Sequence, residues 1–457
     1  MSQNRVILLS EVVGALSYAL DITEGQPVGH SLRCCWIGMH VGMRLGLSTA
    51  DLSDLYYTLL LKDIGCSSNA ARICKLYLAD DLSFKNAYKV VDTKLPEILR
   101  FLLANTARGS GFVERLQTLV HIARNGGEIS RELIETRCQR GAEIARSMRF
   151  SEAVAGGILD LDEHWDGSGQ PLNKQAADIS LFSRIALVAQ VADVFFMRGG
   201  AEAAVSEVTE RSGRWFDPQI ADIVAELGSD ADFWKTMLDN DLPARVADLE
   251  PKTLTRRVDE DYLDDIAAGF AQVVDAKSPF TAGHSDRVAL FADLIAEELG
   301  YAPERRRWLK RAALLHDIGK LGVSNSVLDK NGKPDDDEWA QIRQHPELGR
   351  QILSKIAAFA EMSRIAGDHH EKLNGKGYPH GIASDAIDLD TRIVTTADIF
   401  DALTADRPYR KAMPVHDAFS IMDGEVGSAL DPEVYAALKR GFARLEEVAE
   451  PMGAEAA

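Results

Sequence analysis

The feature that most limits how this chain can fold is a long-period internal repeat. Gly29-His30-Ser31 is followed by Leu61-Lys62-Asp63-Ile64-Gly65-Cys66, and Gly283-His284-Ser285 is followed by Leu315-His316-Asp317-Ile318-Gly319-Lys320. Both landmarks are offset by 254 residues (284 − 30 and 317 − 63). Further on, Asp166-Gly167-Ser168-Gly169-Gln170-Pro171 answers Asn374-Gly375-Lys376-Gly377-Tyr378-Pro379 at an offset of 208, so the first copy carries about 46 extra residues (254 − 208). These are placed between Cys74 and Ser130, in a further helical stretch. A duplication of this length means two related domains and not a solenoid. A chain of 457 residues is also too long for one ordinary core.

The periodicity is helical. Leu263, Ile266, Phe270, Val273 and Val274 recur at helical spacing, as do Ile393, Ala397, Phe400 and Leu403. Alternating, strand-like runs are scarce. The expected fold is all-α, with two tandem helical bundles. Residues 1–228 are read as the first copy and 229–258 as a linker, because Gly228-Ser229-Asp230, Asp239-Asn240-Asp241, Pro243 and Pro251 interrupt helices. A short helical connector packed on both copies is the other reading of that segment. Residues 259–447 form the second copy, and 448–457 a disordered tail.

Composition narrows the function. Hydrophobic content of 46% and charged content of 26% fit a soluble globular protein. No apolar run reaches the length of a membrane span, and MSQNRVILLSEVV has no secretory pattern, so a cytoplasmic location without membrane contact is expected. The five cysteines (Cys34, Cys35, Cys66, Cys74 and Cys138) form no CxxC pair, which fits free thiols. A formal net charge of −19 argues against binding a nucleic-acid polymer, and it means that an anionic substrate needs local cations or metals.

Such a cation site can be read in the second copy. A carboxylate beside a histidine, as in His316-Asp317, offers oxygens that can bridge two cations while imidazoles hold each from outside. Alone, the pair reads as an aspartate cap beside a half-buried histidine. It is joined by His284 at a helix start, His345 before Pro346 at a helix entrance, His369-His370 closing an apolar segment, and Asp398 on the helix of Ile393, Ala397 and Phe400. Ligands projecting from several helices are what a multi-metal site in a bundle requires.

In order and spacing, these pieces resemble the HD-GYP family of the HD phosphohydrolase superfamily. The resemblance spans about residues 260 to 420. It includes Arg287-Val288-Ala289, His345-Pro346-Glu347, His369-His370-Glu371, Gly375-Lys376-Gly377-Tyr378-Pro379, Thr396-Ala397-Asp398 through Asp401-Ala402-Leu403, and Asp406-Arg407-Pro408-Tyr409-Arg410. It implies a metal-dependent phosphodiesterase of cyclic dinucleotides, chiefly cyclic di-GMP, which is opened to linear pGpG by a bridging hydroxide, with further cleavage to GMP left open. A hybrid GMP–AMP ring is the alternative substrate, and a binding or adaptor protein is the competing class. The implied ligands are His284, His316, Asp317, His345, His369, His370 and Asp398, with Asp317 bridging. Some family members carry a glutamate four residues before the first histidine. Phe280 stands there, so two divalent metals are expected and not three. Mixed nitrogen and oxygen ligands suit iron or manganese. Lys320, four residues after His316, would share its face on a continuing helix and serve phosphate binding or leaving-group protonation. Arg407 and Arg410 would clamp the other phosphate. Gly377 would let a tight loop approach the ligand, and Tyr378 would stack on a base or simply pack.

The first copy keeps His30 and Asp63, but Lys62 replaces the histidine of the pair and Cys66 the lysine. Arg137 and Cys138 stand near the His345 position, Leu161-Asp162 replaces the double histidine, and Gln170 the loop tyrosine. The last ligand position falls on either Gln190 or Asp193. This copy is read as a degenerate domain for homodimerisation, regulation or signal input through a partner protein, or as a support for its neighbour's fold.

Overall fold

A computed structural model describes residues 7–92, 95–107, 111–406 and 410–453. Among these, the secondary structure is helical, with isolated bridges and no strand, as the periodicity predicts. The chain divides into two compact units. One comprises Met1–Gly269 with Ser324–Ser326, the other Phe270–Val323 with Val327–Ala457. The division falls inside the helix Glu260–Asp275, whose apolar stripe Leu263, Ile266, Phe270, Val273 and Val274 is buried throughout.

In the first unit the helices Leu9–Thr23, His30–Arg44, Thr49–Leu61, Glu152–Leu159 and Leu181–Glu210 pack around Leu16, Ile37, Leu59, Ile158 and Ile185, all essentially buried. The extra residues form the helices Ala70–Tyr77, Asp81–Tyr88, Leu95–Asn105 and the first part of Phe112–Ser147. They have a small core of their own, built from Tyr77, Phe84, Phe101, Ile122 and Leu133. The segment read as a linker, 229–258, carries the helices Ala231–Thr236 and Leu242–Asp248. It is folded onto the first unit: Phe233 and Trp234 are buried, Trp36 donates to the Phe233 carbonyl at 3.2 Å, and Ser10 and Tyr57 both donate to Glu250.

In the second unit His284–Glu298, Pro303–Leu315, His345–Ser354, Met362–Asp368 and Leu389–Thr404 surround the histidines. Phe400 sits at the base of this bundle, its ring 4.9 Å from Phe291 and 5.2 Å from Phe419. A buried aromatic ring contributes roughly 1.5–3 kcal/mol by burial alone, so this cluster anchors the helix that carries Asp398. The last helix runs Pro432–Gly453, and the remainder of the tail expected to be disordered lies outside the described residues.

Candidate active site

Helix ends bring the ligands together. His284 opens one helix behind Gly283, His316 caps another at its C-terminus, His345 is the first residue of a third with Pro346 beside it, and His369 caps a fourth. Only Asp398 lies within a helix, on its buried face. Gly319 makes the convergence feasible: a Cβ there would collide with the carbonyl oxygen of His345 and the backbone of Gly349. The backbone segments carrying His316-Asp317 and His345 are thus in direct contact, and only glycine fits between them.

Asp317 is at the centre and divides its two oxygens between two pairs of histidines. Oδ2 lies 3.2 Å from Nε2 of His284 and 3.4 Å from that of His316. Oδ1 lies 3.4 Å from Nε2 of His345 and 3.6 Å from that of His369. Asp398 Oδ1 joins the first pair, at 3.5 Å from His284 and 3.9 Å from His316. His370 joins the second, grouped with His345 and His369 at mutual ligand spacing. The structure brings all seven expected ligands into one cluster, six of them buried and His370 half-buried, with Asp317 placed between the two groups.

The far side of each ring fixes which nitrogen faces inward. Nδ1 of His316 bonds the Ala313 carbonyl at 2.7 Å, that of His345 the Ile342 carbonyl at 2.7 Å, and that of His369 the Ala366 carbonyl at 2.9 Å. Carbonyls only accept, so these Nδ1 atoms carry the protons and the Nε2 lone pairs point at Asp317. His284 differs. Its Nδ1 bonds Asp401 Oδ2 at 2.6 Å, and Asp401 is held in turn by Arg287 at 2.5 Å. The sequence reading quoted Asp401 in the resemblance without giving it a role. Its place three residues after Asp398 on the same helix was the signal available.

Burial pushes His316 down to about 4 and His345 to about 3, so both are neutral ligands at neutral pH. Burial opposes a charge on His284 as well, but the surrounding carboxylates of Asp317, Asp401 and Asp398 outweigh it and raise it to about 9. Burial works against the Asp317 carboxylate too, yet Lys320 and His316 hold it well below the usual range. Nε2 of His284, Nε2 of His316 and Oδ1 of Asp317 are buried without a hydrogen bond. Buried polar atoms left unsatisfied in this way are costly unless something binds them. Divalent cations fit this donor set, and His284, His316, Asp398 and Asp317 would hold one while His345, His369, His370 and Asp317 hold the other.

The expected substrate residues divide. The helix does not continue past His316 as expected. It stops at Leu315 and a 3-10 turn spans Ile318–Gly322, because Gly319 must tuck against the His345 segment. Lys320 still reaches the site, but through that turn, where its ammonium pairs with Asp317 Oδ2. Tyr378 stacks on His370 with ring centroids 4.7 Å apart. Gly377 is required by packing, since a Cβ would collide with the backbone of Glu371 and Lys372. Arg410 is turned away: its guanidinium donates to the carbonyls of Ala402 (2.6 Å), Leu403 (2.9 Å) and Lys411 (2.9 Å), capping the helix that carries Asp398. Arg407 lies outside the described residues.

With the geometry known, comparison with known proteins places the chain. The family model described as "HD domain" matches residues 87–220 and 270–434, one stretch in each copy. The chain belongs to the HD domain family. The similarity to HD-GYP proteins read from the motifs is borne out. A "3'3'-cGAMP-specific phosphodiesterase 3" of Vibrio cholerae serotype O1 is 53% identical over 434 residues, which cover 95% of this chain and 94% of the relative. The crystal structure of the cyclic GMP-AMP specific phosphodiesterase V-cGAP3 of V. cholerae matches 96% of this chain and 98% of its own, with 47% identity and a TM-score of 0.66. A "Cyclic di-GMP phosphodiesterase response regulator RpfG" of Xanthomonas campestris pv. campestris is 38% identical over 180 residues, 39% of this chain and 48% of the relative. Among the described residues no helix is long and apolar enough to cross a membrane.

The first HD copy keeps the brace and loses the centre. His30 Nδ1 bonds Asp193 Oδ2 at 2.6 Å and Arg33 holds Asp193 at 2.5 Å, reproducing His284, Asp401 and Arg287. This settles the ambiguous register: Asp193 answers Asp401, and Gln190 answers Asp398. The Lys62 ammonium lies among the remaining groups. It is 3.0 Å from His30 Nε2 and 3.1 Å from Gln190 Oε1, and it pairs with Asp63 Oδ2. An ammonium ion thus fills the place where the second copy presents bare ligands. Cys34 Sγ lies 3.7 Å from His30 Nε2, and burial pushes its thiol far up.

Proposed function

We propose that this HD protein is a metal-dependent phosphodiesterase that opens the hybrid 3′3′ cyclic GMP–AMP ring. Hydrolysis of cyclic dinucleotides is the activity of the proteins it resembles. The motif reading put cyclic di-GMP first and the hybrid ring second, and that order is reversed here. The observation that carries the reversal is the extent of the match. The relative named for 3′3′-cGAMP shares both copies, at 53% identity over 94% of its length. Relatives named for cyclic di-GMP match about two-fifths of this chain. The motifs could not make this distinction, because the ligands and Lys320 address phosphates, which the two rings share.

When bound, a pair of divalent cations supplies an acidified water and positive charge opposite the phosphoryl oxygens. The chain's residues do the rest. The histidines and Asp398 hold nitrogen and carboxylate donors in fixed directions, and His284 would give up its proton as a cation takes its place. Asp401 positions His284. Lys320, partly exposed beside Asp317, is placed to donate to a phosphate oxygen or to the departing 3′ oxygen. Iron or manganese, two per chain, is the loading this donor set suits.

The test is purified protein reconstituted with iron or manganese and offered 3′3′-cGAMP, cyclic di-GMP and cyclic di-AMP, with products resolved by chromatography. The hybrid ring should be opened faster than cyclic di-GMP by about tenfold or more, a difference of roughly 1.4 kcal/mol in transition-state binding. Equal or inverted rates would sink the ring preference, and failure to open any ring would sink the activity. Lys320→Ala should keep its metal and lose roughly 10²–10³ in kcat, the range seen when one preorganised donor to developing charge is removed. Metal analysis beside kinetics checks this, and metal lost in proportion to rate would contradict the assigned role.

A further inference from the structure

The seven ligands and Lys320 read phosphates, so whatever distinguishes one ring from another must lie outside them. Beside the metal ligands is a layered arrangement that their coordination does not explain. Tyr378 stacks on His370, and the guanidinium of Arg343 lies 5.6 Å from the centroid of the Tyr378 ring. The same guanidinium lies 5.7 Å from the ring of Trp339, which is 41% exposed. Trp339 and Arg343 are four residues apart, and neighbours at that spacing on a helix meet in any case. Tyr378 comes from a different segment, the glycine loop, so the three-layer contact is a tertiary feature.

Arg343 stands apart from most of the site's arginines. Arg287 is paired with Asp401, Arg350 with Asp368, and Arg392 with Asp431. Arg343 is exposed, and among the described residues it has no carboxylate or carbonyl partner, only the two rings. In a chain with a net charge of −19, an arginine with its fork of donors unclaimed, beside two aromatic rings and one layer from a metal ligand, is available for a ligand.

The internal repeat supplies a control. The 208-residue offset that relates the glycine loops also pairs His345 with Arg137 and Gly349 with Gly141. The structure confirms this register, because Gly65 abuts Arg137 and Gly141 just as Gly319 abuts His345 and Gly349. In this register Arg131 stands for Trp339, Glu135 for Arg343 and Gln170 for Tyr378. The first copy keeps what the fold needs, namely the glycines, the loop proline and the His30–Asp193–Arg33 brace. It has lost five of the seven metal ligands and all three layers of the shelf. Residues lost together with the metal ligands, while the packing is retained, belong to the chemistry and not to the scaffold.

We propose that Tyr378, Arg343 and Trp339 form the base-reading shelf of this site, with Arg343 donating its fork to the N7 and O6 acceptors of a guanine that lies against the aromatic rings. This rests on the cyclic-dinucleotide reading above. The chemistry selects guanine: its outer edge presents two adjacent acceptors, whereas adenine replaces one of them with a donor. The position selects a base over a phosphate. The shelf is stepped away from the ligands by the thickness of one ring, as a base is stepped away from its phosphate by the sugar, and aromatic faces stack on bases.

The experiment is a double-mutant cycle between protein and substrate, on full-length protein reconstituted with manganese. Wild type and Arg343→Ala are each assayed with 3′3′-cGAMP and with its analogue carrying 7-deazaguanine, which replaces N7 by CH. For wild type, the analogue should raise KM roughly tenfold, within the discrimination a forked contact supplies. Arg343→Ala should raise KM for the natural ring by a similar or larger factor, with metal content unchanged and kcat changed less. The analogue should then be no worse than the natural ring for the variant. Trp339→Ala should raise KM for both rings alike, through lost stacking. Independent, multiplying effects of the arginine and the N7 atom would overturn the assignment, as would an Arg343→Ala loss confined to kcat. If wild type opens no cyclic dinucleotide at all, the failure lies with the proposed activity and not with the shelf.

Discussion

Asp317→Ala is expected to empty the second copy of metal and to abolish turnover in the same step. Its two oxygens each face a different histidine pair at 3.2–3.6 Å, so one residue supplies the shared anion for both halves of the cluster. Without it, two cations would face each other across neutral imidazoles with no negative charge between them. Partners that merely orient a metal ligand already cost about 10–100-fold when removed, so loss of the bridging ligand should cost on the order of a thousandfold or more in activity. The fold should survive. Lys320, the cation left without its partner, is partly exposed and can turn to solvent. Elemental analysis, turnover and circular dichroism on the same preparation check the three statements together. Asp317→Asn separates charge from shape: it keeps the volume and should fail in the same way. Full metal loading with near-native rate in either variant would remove Asp317 from the centre of the site.

How much of this was legible in the sequence depends on the kind of information each residue carries. Metal ligation demands particular side chains, and helix ends demand glycine and proline nearby, so His284, His316, His345, His369-His370 and Asp398 stood out by type and spacing. The helices followed from periodicity, as with Leu263 to Val274. What could not be read was direction. Nothing in the string Asp398–Asp401 says that the second aspartate braces His284 from behind, nor that Arg410 would spend its guanidinium on helix-end carbonyls. Lys320 was placed on a continuing helix by its spacing of four from His316. In fact Gly319 is where the His345 backbone passes, and the helix has to end before it. The register at Gln190 and Asp193 was undecidable for the same reason, since either residue could have faced inward. Arg343 and Trp339 carry no motif, and only the fold places the Tyr378 ring of the glycine loop beside Arg343.

In the first copy, Lys62→Met should destabilise the protein strongly without creating a metal site. Lys62 is 2% exposed, and its ammonium satisfies His30, Gln190 and the Asp63 carboxylate at once. Methionine keeps most of the stem volume, so what is lost is the charge and its hydrogen bonds, not the packing. Asp63 is then left buried with Lys89, at 3.7 Å, as its nearest remaining cation. Breaking a buried pair by removing one partner costs about 3–5 kcal/mol. For a unit of this size that lowers the melting temperature by roughly 10 °C. Scanning calorimetry should show the drop in the transition of the first unit. Metal content should stay at the wild-type value, because Arg137, Leu161 and Gln190 still stand where His345, His369 and Asp398 stand in the second copy. Lys62→His makes the reasoning sharper. It restores the motif histidine beside Asp63 and His30, yet it should recruit no transition metal, since the outer ligands remain absent. A Lys62→Met protein as stable as wild type would show that the ammonium does not stand in for the missing cation. Additional metal bound by Lys62→His would show that the first copy is one residue away from a working site, and not the several residues its lost ligands imply.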